Sequence, residues 1–470
     1  MLTESVKEAL KRAVGKDKVS FLREDLLCYS FDATNKKHMP GAVVFAADAE
    51  DVSRLMRLAN KEGFAVIPRG AGTGFTGGSV PSINGGGGVV LSLERMNSII
   101  EIDKANMTAV VEPGVITGDL QDEAEKNGLF YPPDPTSSNF STIGGNIAEC
   151  AGGPRCVKYG VTKDYVLGLE AVLPTGEIIR TGVKKTLKGV AGYDLTKLIV
   201  GSEGTLAIVT KAYLKLTALP PVRKTMLAKF KRVEDAASAV IAVMSAKVVP
   251  SMMELMDSAS IRCVAANSGT GLEGVGAALL MEADGSESSV KDDVAAIERE
   301  VKAHGAIEFR VAADKNEVKD LWKLRKSISP ALNKLKPTKI NEDVVVPRSR
   351  LVELIKGVET IAEAKKVLVA CFGHAGDGNI HVNVMIDGSD ADEARRGAEA
   401  VKSVFELVLH LDGTITGEHG IGTAKAEFLP MELGIDTIDA MKRIKKALDP
   451  NNVLNPGKIF LPDAARAKAV

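Results

Sequence analysis

The sequence predicts an α+β protein, and three observations carry that expectation. Residues 42–67 read as a strand, an amphipathic helix and a second strand. A stretch with five glycines in nine positions, Gly70 to Gly78, follows at once. After Leu219-Pro220-Pro221 the texture changes: clustered glycines and prolines thin out, and short strands alternate with periodic helices. A domain boundary is expected near 219, within a chain of 470 residues that is long enough for about two to four domains.

Composition narrows the function classes. Hydrophobic residues make up 45% and charged residues 26%, as in a soluble globular enzyme. A net charge of -1 gives no footprint for nucleic acid or an anionic membrane. No apolar run nears the roughly 18 residues that a spanning helix needs, and the first residues lack the apolar core of a signal peptide. A cytoplasmic location is expected, with peripheral membrane association through a partner left open. The five cysteines, at 28, 150, 156, 263 and 371, form no Cys-x-x-Cys pair. That spacing argues against a zinc knuckle, an iron–sulfur cluster or a disulfide framework.

The elements follow from local pattern. Thr3 caps a helix over residues 4–14, with Val6, Leu10 and Val14 on one face. Residues 42–45 form a buried strand. A helix opens at residues 48–52 and runs through Ala59, with Val52, Leu55, Met56 and Ala59 on one face; Gly63 ends it. Strands are expected at 64–67 and 89–93, and a hairpin at 99–103 and 108–112. A helix over 119–126 closes at Asn127-Gly128. Residues 131–153 read as a second loop region, from the rigid Tyr131-Pro132-Pro133-Asp134-Pro135 through Gly144-Gly145-Asn146 to Gly152-Gly153. Two strands divided by Pro174-Thr175-Gly176 lie within 160–182, and a glycine turn with a strand occupies 200–209. In the second half, helices are expected at 233–245 and 290–303.

The first glycine stretch is a loop, because glycine gives up too much backbone freedom in a helix or strand. Its N–H groups can surround an anion, and the missing side chains let a pyrophosphate approach. Gly72-x-Gly74-x-x-Gly77 matches the nicotinamide dinucleotide fingerprint, but no helix begins over residues 79–84, as that fingerprint requires. The phosphate-cradle reading stands without the nicotinamide one. Three separate glycine turns in one domain suggest a large cofactor lying across it.

Several motifs together carry a resemblance. They are Pro68-Arg69-Gly70-x-Gly72-Thr73-Gly74, Gly144-Gly145-Asn146-Ile147-Ala148, Ala151-Gly152-Gly153, Lys158-Tyr159-Gly160, Val200-Gly201-Ser202-Glu203-Gly204-Thr205-Leu206 and Asn455-Pro456-Gly457-Lys458. The chain resembles the FAD-linked oxidases and dehydrogenases of the vanillyl-alcohol-oxidase fold, and among them the D-lactate, glycolate and D-2-hydroxyglutarate dehydrogenases. The resemblance implies a PCMH-type FAD-binding domain of two α/β subdomains over 1–218. It also implies an antiparallel-sheet cap over 219–424 and a helical segment, 425–470, returning to the FAD domain. The implied FAD contacts in the first loop are Pro68, Arg69, Gly70, Ala71, Gly72, Thr73, Gly74, Gly77 and Gly78. Further implied contacts are Pro133, Asp134, Ser138, Gly144, Gly145, Asn146 and Gly152, then Tyr159, Gly160, Glu203, Gly204, Ile208 and Asn455. Some relatives tether flavin through a histidine in the first loop. Here the loop reads Ala71-Gly72-Thr73, so non-covalent FAD is expected.

The second half holds a polar constellation. Residues 372–384 form a glycine turn entering a strand, in which alternation puts His381 and Asn383 on one face and Ile380, Val382 and Val384 on the other. Residues 415–422 set Glu418 and His419 between glycines. Two histidines and a carboxylate suffice for a divalent metal with open positions. The resemblance makes His374, His381 and Glu418 the metal ligands, with zinc first and manganese or iron as alternatives. It makes Asn383 a substrate contact and His419 the catalytic base and a substrate contact. Arg325 resembles the family's carboxylate-binding arginine, Ser329 lies one helical turn on, and Lys339 is a further family substrate contact. His38, His304 and His410 read as structural or solvated.

The resulting expectation is an FAD-dependent D-2-hydroxyacid dehydrogenase acting on D-lactate or glycolate. It would pass electrons to an external acceptor: an electron-transferring flavoprotein, an iron–sulfur subunit or a quinone. A homodimer is left open. The alternatives are a non-catalytic or differently specific FAD subunit of a larger redox complex, for D-2-hydroxyglutarate or another hydroxyacid, and a metal-dependent hydrolase using His374, His381 and Glu418.

Overall fold

The computed structural model describes residues 2–34, 37–82, 87–264 and 271–461. The expectation that no helix starts after Gly78 holds over residues 79–82; residues 83 and 84 lie outside the described ones. The chain divides into two compact units. One comprises Met1–Gly152, Val161–Leu219 and Glu418–Val470; the other comprises Gly153–Gly160 and Pro220–Gly417.

In the first unit, Thr3 Oγ1 accepts from the Val6 amide at 3.3 Å and starts the helix Glu4–Val14. Asp48 caps the helix Ala49–Glu62, and Gly63 ends it with φ 72 in the left-handed region. The apolar stripes of both helices pack with Ala42, Val44, Val66, Val89 and Leu91 in one core. The sheet there runs Val19–Ser20, Ala42–Phe45, Val89–Ser92, Val66–Arg69. Its first pair is antiparallel and the other two are parallel. The last strand starts two residues later than expected and reaches into the glycine motif. Pro68 is tolerated because this strand forms the sheet's edge. Near the C-terminus the chain returns to that edge: the Val66 amide donates to Val453 O and the Asn455 amide to Val66 O, each at 2.8 Å.

A second, antiparallel sheet in this unit has the order Ile99–Asp103, Thr108–Val111, Ile208–Lys215, Val166–Val172, Ile178–Gly182. The expected hairpin is its first pair. The expected loop region at 131–153 needs correction. Residues Ile143–Glu149 are a helix, started by Thr142 Oγ1 accepting from the Gly145 amide. Gly144 serves packing, since a side chain there would meet Pro113 Cβ at 2.6 Å.

The second unit is built on a seven-stranded antiparallel sheet. The order is Ala306–Val311, Val222–Phe230, Ala277–Gly285, Met252–Asp257, Leu368–His374, Asn379–Ile386, Thr338–Val345. The helices Val233–Ser245, Glu287–Ala303, Leu351–Lys365 and Ala391–His410 cover one face. Ser258–Val264 and Lys315–Ala331 pack on the other, where Leu324 and Ile328 join Met256, Ala370, Phe372 and Met385 in a core cluster. The two helices at 233–245 and 290–303 were expected; the second begins three residues earlier. This α+β architecture, with an antiparallel-sheet second unit, is the predicted fold class.

Candidate cofactor and substrate sites

In the first unit the glycine loop leaves the sheet at Arg69. Arg69 is buried, donates from Nη1 to Phe31 O at 2.8 Å, and lies over the Tyr29 ring. Gly72 tucks beneath the guanidinium with φ 71, and a Cβ there would collide with Arg69 Nη2. Gly77 also has positive φ, and its missing side chain makes room for Thr423 Oγ1. Among the described residues, none of the backbone N–H groups from Gly70 to Gly74 donates to a protein acceptor. A run of unspent donors in a loop without bulky side chains fits a pyrophosphate. Among the described residues, the Oγ of Ser79 and the Oδ1 of Asn455 are buried without a hydrogen-bond partner, as polar groups awaiting a ligand would be.

The loop is held from behind by the end of the chain. Asn455, buried, donates from Nδ2 to Gly78 O at 3.0 Å and to Glu203 O at 2.9 Å. Lys458 Nζ donates to Gly77 O and Val80 O, each at 2.6 Å. Burial lowers the Lys458 pKa to about 8, and Asp32, Glu203 and Glu149 hold it from falling further. Glu203 accepts from the amides of Ile421 and Gly422 at 2.7 and 2.6 Å. Its carboxyl still titrates above the ordinary range, chiefly because it is buried. Glu149, at the end of the helix Ile143–Glu149, is raised well above that range by burial, then by Glu203 and Asp32.

Other expected cofactor contacts lie in the same unit. Pro68 precedes the loop. Gly144, Gly145 and the buried Asn146 form the first turn of their helix, with Asn146 Nδ2 on Thr117 Oγ1 at 2.7 Å. Pro133 O accepts from Gln121, and Ser138 is buried beyond Asp134. Gly204 has φ 64 and packs against Pro68; Ile208 begins its strand. Tyr159 and Gly160 are placed in the second unit, where the Tyr159 hydroxyl donates to Asp284 at 2.7 Å. Glu418 and His419 belong to the first unit. The His419 ring sits 5.1 Å from that of Phe75, in the glycine loop, and its Nε2 is 3.8 Å from Glu418 Oε1.

In the second unit, strand register collects the other candidates on one sheet face. Antiparallel pairing sets Glu254 opposite His374, Phe372 and Asp343 opposite His381, and Asn341 and Ala370 opposite Asn383. The rings of His374 and His381 meet edge to face at 5.2 Å, with ligand nitrogens within 4.8 Å of one another. Asn383 is fully buried; its Nδ2 donates to Ala370 O and its Oδ1 has no partner. The helix Lys315–Ala331 presents Arg325 on its buried stripe with Leu321, Leu324 and Ile328. The guanidinium stacks 4.7 Å above the Phe372 ring. Lys339 Nζ donates to Ser329 Oγ at 2.7 Å, and burial lowers its pKa.

Two carboxylates that sequence reasoning missed organise this face. Glu254 Oε1 accepts from His374 Nδ1 at 2.5 Å, and its Oε2 lies 2.5 Å from Arg325 Nη2. Burial alone would raise the Glu254 pKa, but Arg325 and then His374 bring it down to about 2. Asp343 accepts from Asn379 Nδ2 at 2.6 Å and from the Gly417 amide at 2.9 Å. That second bond fixes the residue from which Glu418 extends. The one advance signal for Glu254 was a lone carboxylate in the apolar run Met252-Met253-Glu254-Leu255-Met256. Lys458 closes the motif Asn455-Pro456-Gly457-Lys458, and nothing in the sequence alone marks its role.

The donor set fits a divalent cation: two imidazoles, one of them oriented by a carboxylate. The unspent N–H donors of the glycine loop fit a dinucleotide diphosphate. Comparison with known proteins bears on the rest. Residues 40–182 match the FAD binding domain, and residues 219–459 match the C-terminal domain of FAD linked oxidases. The chain is 44% identical to glycolate oxidase subunit GlcD of Bacillus subtilis, over 99% of both chains. It is 35% identical to the mitochondrial D-lactate dehydrogenase [cytochrome] of Arabidopsis thaliana, over 98% of this chain and 83% of that one. It is 36% identical to D-lactate dehydrogenase of Anaerostipes hadrus, over 97% of each. The fold is similar to that of p-cresol methylhydroxylase, with a TM-score of 0.82 and 20% identity over 98% of both chains. A unit with a glycine loop of unspent N–H donors and an antiparallel-sheet unit lined with an arginine and histidines thus have their family: the chain belongs to the FAD-linked oxidases, with the FAD-binding and C-terminal domains of that family in sequence.

Proposed function

We propose that this protein oxidises a small 2-hydroxyacid, D-lactate or glycolate, to the 2-oxoacid and hands the electrons to an external acceptor. The observation that carries the reading is the sheet face that holds the buried Arg325, Asn383, His374 and His381, with the half-buried Ser329 and Lys339 bonded to each other there. It pairs a cationic anchor for a carboxylate with nitrogen ligands for a cation. The relatives named glycolate oxidase subunit and D-lactate dehydrogenase support the substrate class.

Oxidation breaks the O–H and C2–H bonds of the acid and forms a C=O bond. When bound, FAD supplies the acceptor for the hydride leaving C2, and a divalent cation supplies positive charge beside the hydroxyl oxygen. His374, His381 and Glu418 would hold the cation, and the cradle from Arg69 to Gly78 with Asn455 would hold FAD without a covalent bond. Arg325 would take the substrate carboxylate through charge-assisted hydrogen bonds, with Lys339 adding charge and Asn383 fixing the acid's orientation. His419 would accept the hydroxyl proton at its ring nitrogen. An electron-transferring flavoprotein, an iron–sulfur subunit or a quinone would then reoxidise the enzyme. The name of the Bacillus relative, a subunit, favours reading this chain as one part of a larger redox complex.

The test is anaerobic titration of the yellow protein with D- and L-2-hydroxyacids, following flavin absorbance before and after chelation. Bleaching by D-lactate or glycolate, lost on chelation and restored by Zn2+, is expected. Absorbance unchanged by every acid in the panel would refute the reading.

A further inference from the structure

One buried carboxylate touches both halves of the proposed substrate site. Glu254 lies on the strand Met252–Asp257, fully buried, 2.5 Å from His374 Nδ1 through one oxygen and 2.5 Å from Arg325 Nη2 through the other. An ionised carboxylate only accepts hydrogen bonds. The His374 nitrogen facing it, Nδ1, therefore donates, and Nε2 is left as the ring nitrogen that would face a cation. The same carboxylate holds the guanidinium from one side. Arg325 is 4% exposed, and its Nε has no hydrogen-bond partner, so a donor on this group remains unspent.

We infer that Glu254 is a positioning residue that serves cation and substrate at once, fixing the His374 tautomer for metal binding and pinning Arg325 for the acid's carboxylate. The inference rests on the proposed roles of His374 and Arg325. It goes further in coupling them: neutralising one side chain should weaken cation binding and, with Zn2+ held saturating, acid binding as well. Removing an outer-shell partner of a metal-bound histidine commonly costs 10–100-fold in affinity. Arg325 freed from its partner can also adopt other rotamers, which raises KM for the acid.

The experiment uses the full FAD-loaded chain and Glu254→Gln, a change that keeps shape and removes charge. Zn2+ affinity is measured by competition with a chromophoric chelator, counting the binding lost in His381→Ala. KM and kcat for D-lactate or glycolate are measured beside it. Expected are a 10–100-fold loss of Zn2+ affinity, a raised KM and an unchanged flavin spectrum. A native chain with no His381-dependent Zn2+ binding overturns the metal reading, and this inference with it. Native binding together with Glu254→Gln affinity within twofold overturns the inference alone. Nitrogen chemical shifts of the His374 ring in the metal-free native chain need no variant. An Nδ1–H ring is expected, and an Nε2–H ring with bare Nδ1 overturns the assignment.

Discussion

His419 is the residue on which the proposed chemistry turns most directly, and it stands in the FAD-binding unit beside Phe75 of the glycine loop. His419→Ala should leave FAD bound, because none of the cradle's hydrogen bonds to Asn455 or Lys458 uses it. The proton acceptor would be gone, so flavin reduction by the acid should slow by at least the 10²–10⁴-fold typical of general-base removal. Stopped-flow absorbance checks this, and native-like reduction would remove His419 from its role. At this scale the sequence was legible where local pattern carries chemistry. Period-two alternation put His381 and Asn383 on one face, and they do lie on one face. Glu254 was illegible because its role arises from pairing with a strand 120 residues away. A lone carboxylate in an apolar run gives no hint of its partners.

Among the elements, those with caps and clean stripes could be read in advance. The helices Glu4–Val14 and Val233–Ser245 have the expected bounds, the first from a capping threonine with apolar spacing and the second from apolar spacing alone. The helix Ile143–Glu149 could not, because two glycines argue against a helix on propensity. Close approach to Pro113 overrides that propensity, and only the folded chain reveals it. The glycine loop offers a test of the same principle. Gly72 and Gly192 both have positive φ, but only Gly72 faces a neighbour, while nothing lies within 4 Å of a Cβ at Gly192. Both alanine variants bear backbone strain of about 1–2 kcal/mol. Gly72→Ala should in addition displace the Arg69 guanidinium and weaken FAD retention by tenfold or more, measured by flavin release. Equal retention in the two variants would show that strain alone matters there.

For the whole molecule, the sequence showed a change of texture after Leu219-Pro220-Pro221. It did not convey that Gly153–Gly160 joins the second unit, since the bonds of Lys158 and Tyr159 to Asp284 span some 125 residues. The buried acids of the first unit set a pH dependence. Glu149 titrates above its unfolded value of 4.5, so the folded state binds the extra proton. Its contribution to stability is fully present below pH 4.5 and is lost as pH rises through the raised folded pKa. Glu149→Gln should flatten that decline and raise the melting temperature at neutral pH relative to the native chain. Parallel pH profiles for the two proteins would show that Glu149 is already ionised in the fold. The strand Val66–Arg69 has its edge completed by Val453 to Asn455, and Lys458 ties down the loop beyond it. On the ribosome these partners emerge nearly four hundred residues after the segment they secure. A nascent chain therefore exposes an unfinished strand edge and glycine loop through most of its synthesis, and on the proposed reading flavin would load only after translation reaches residues 453–458.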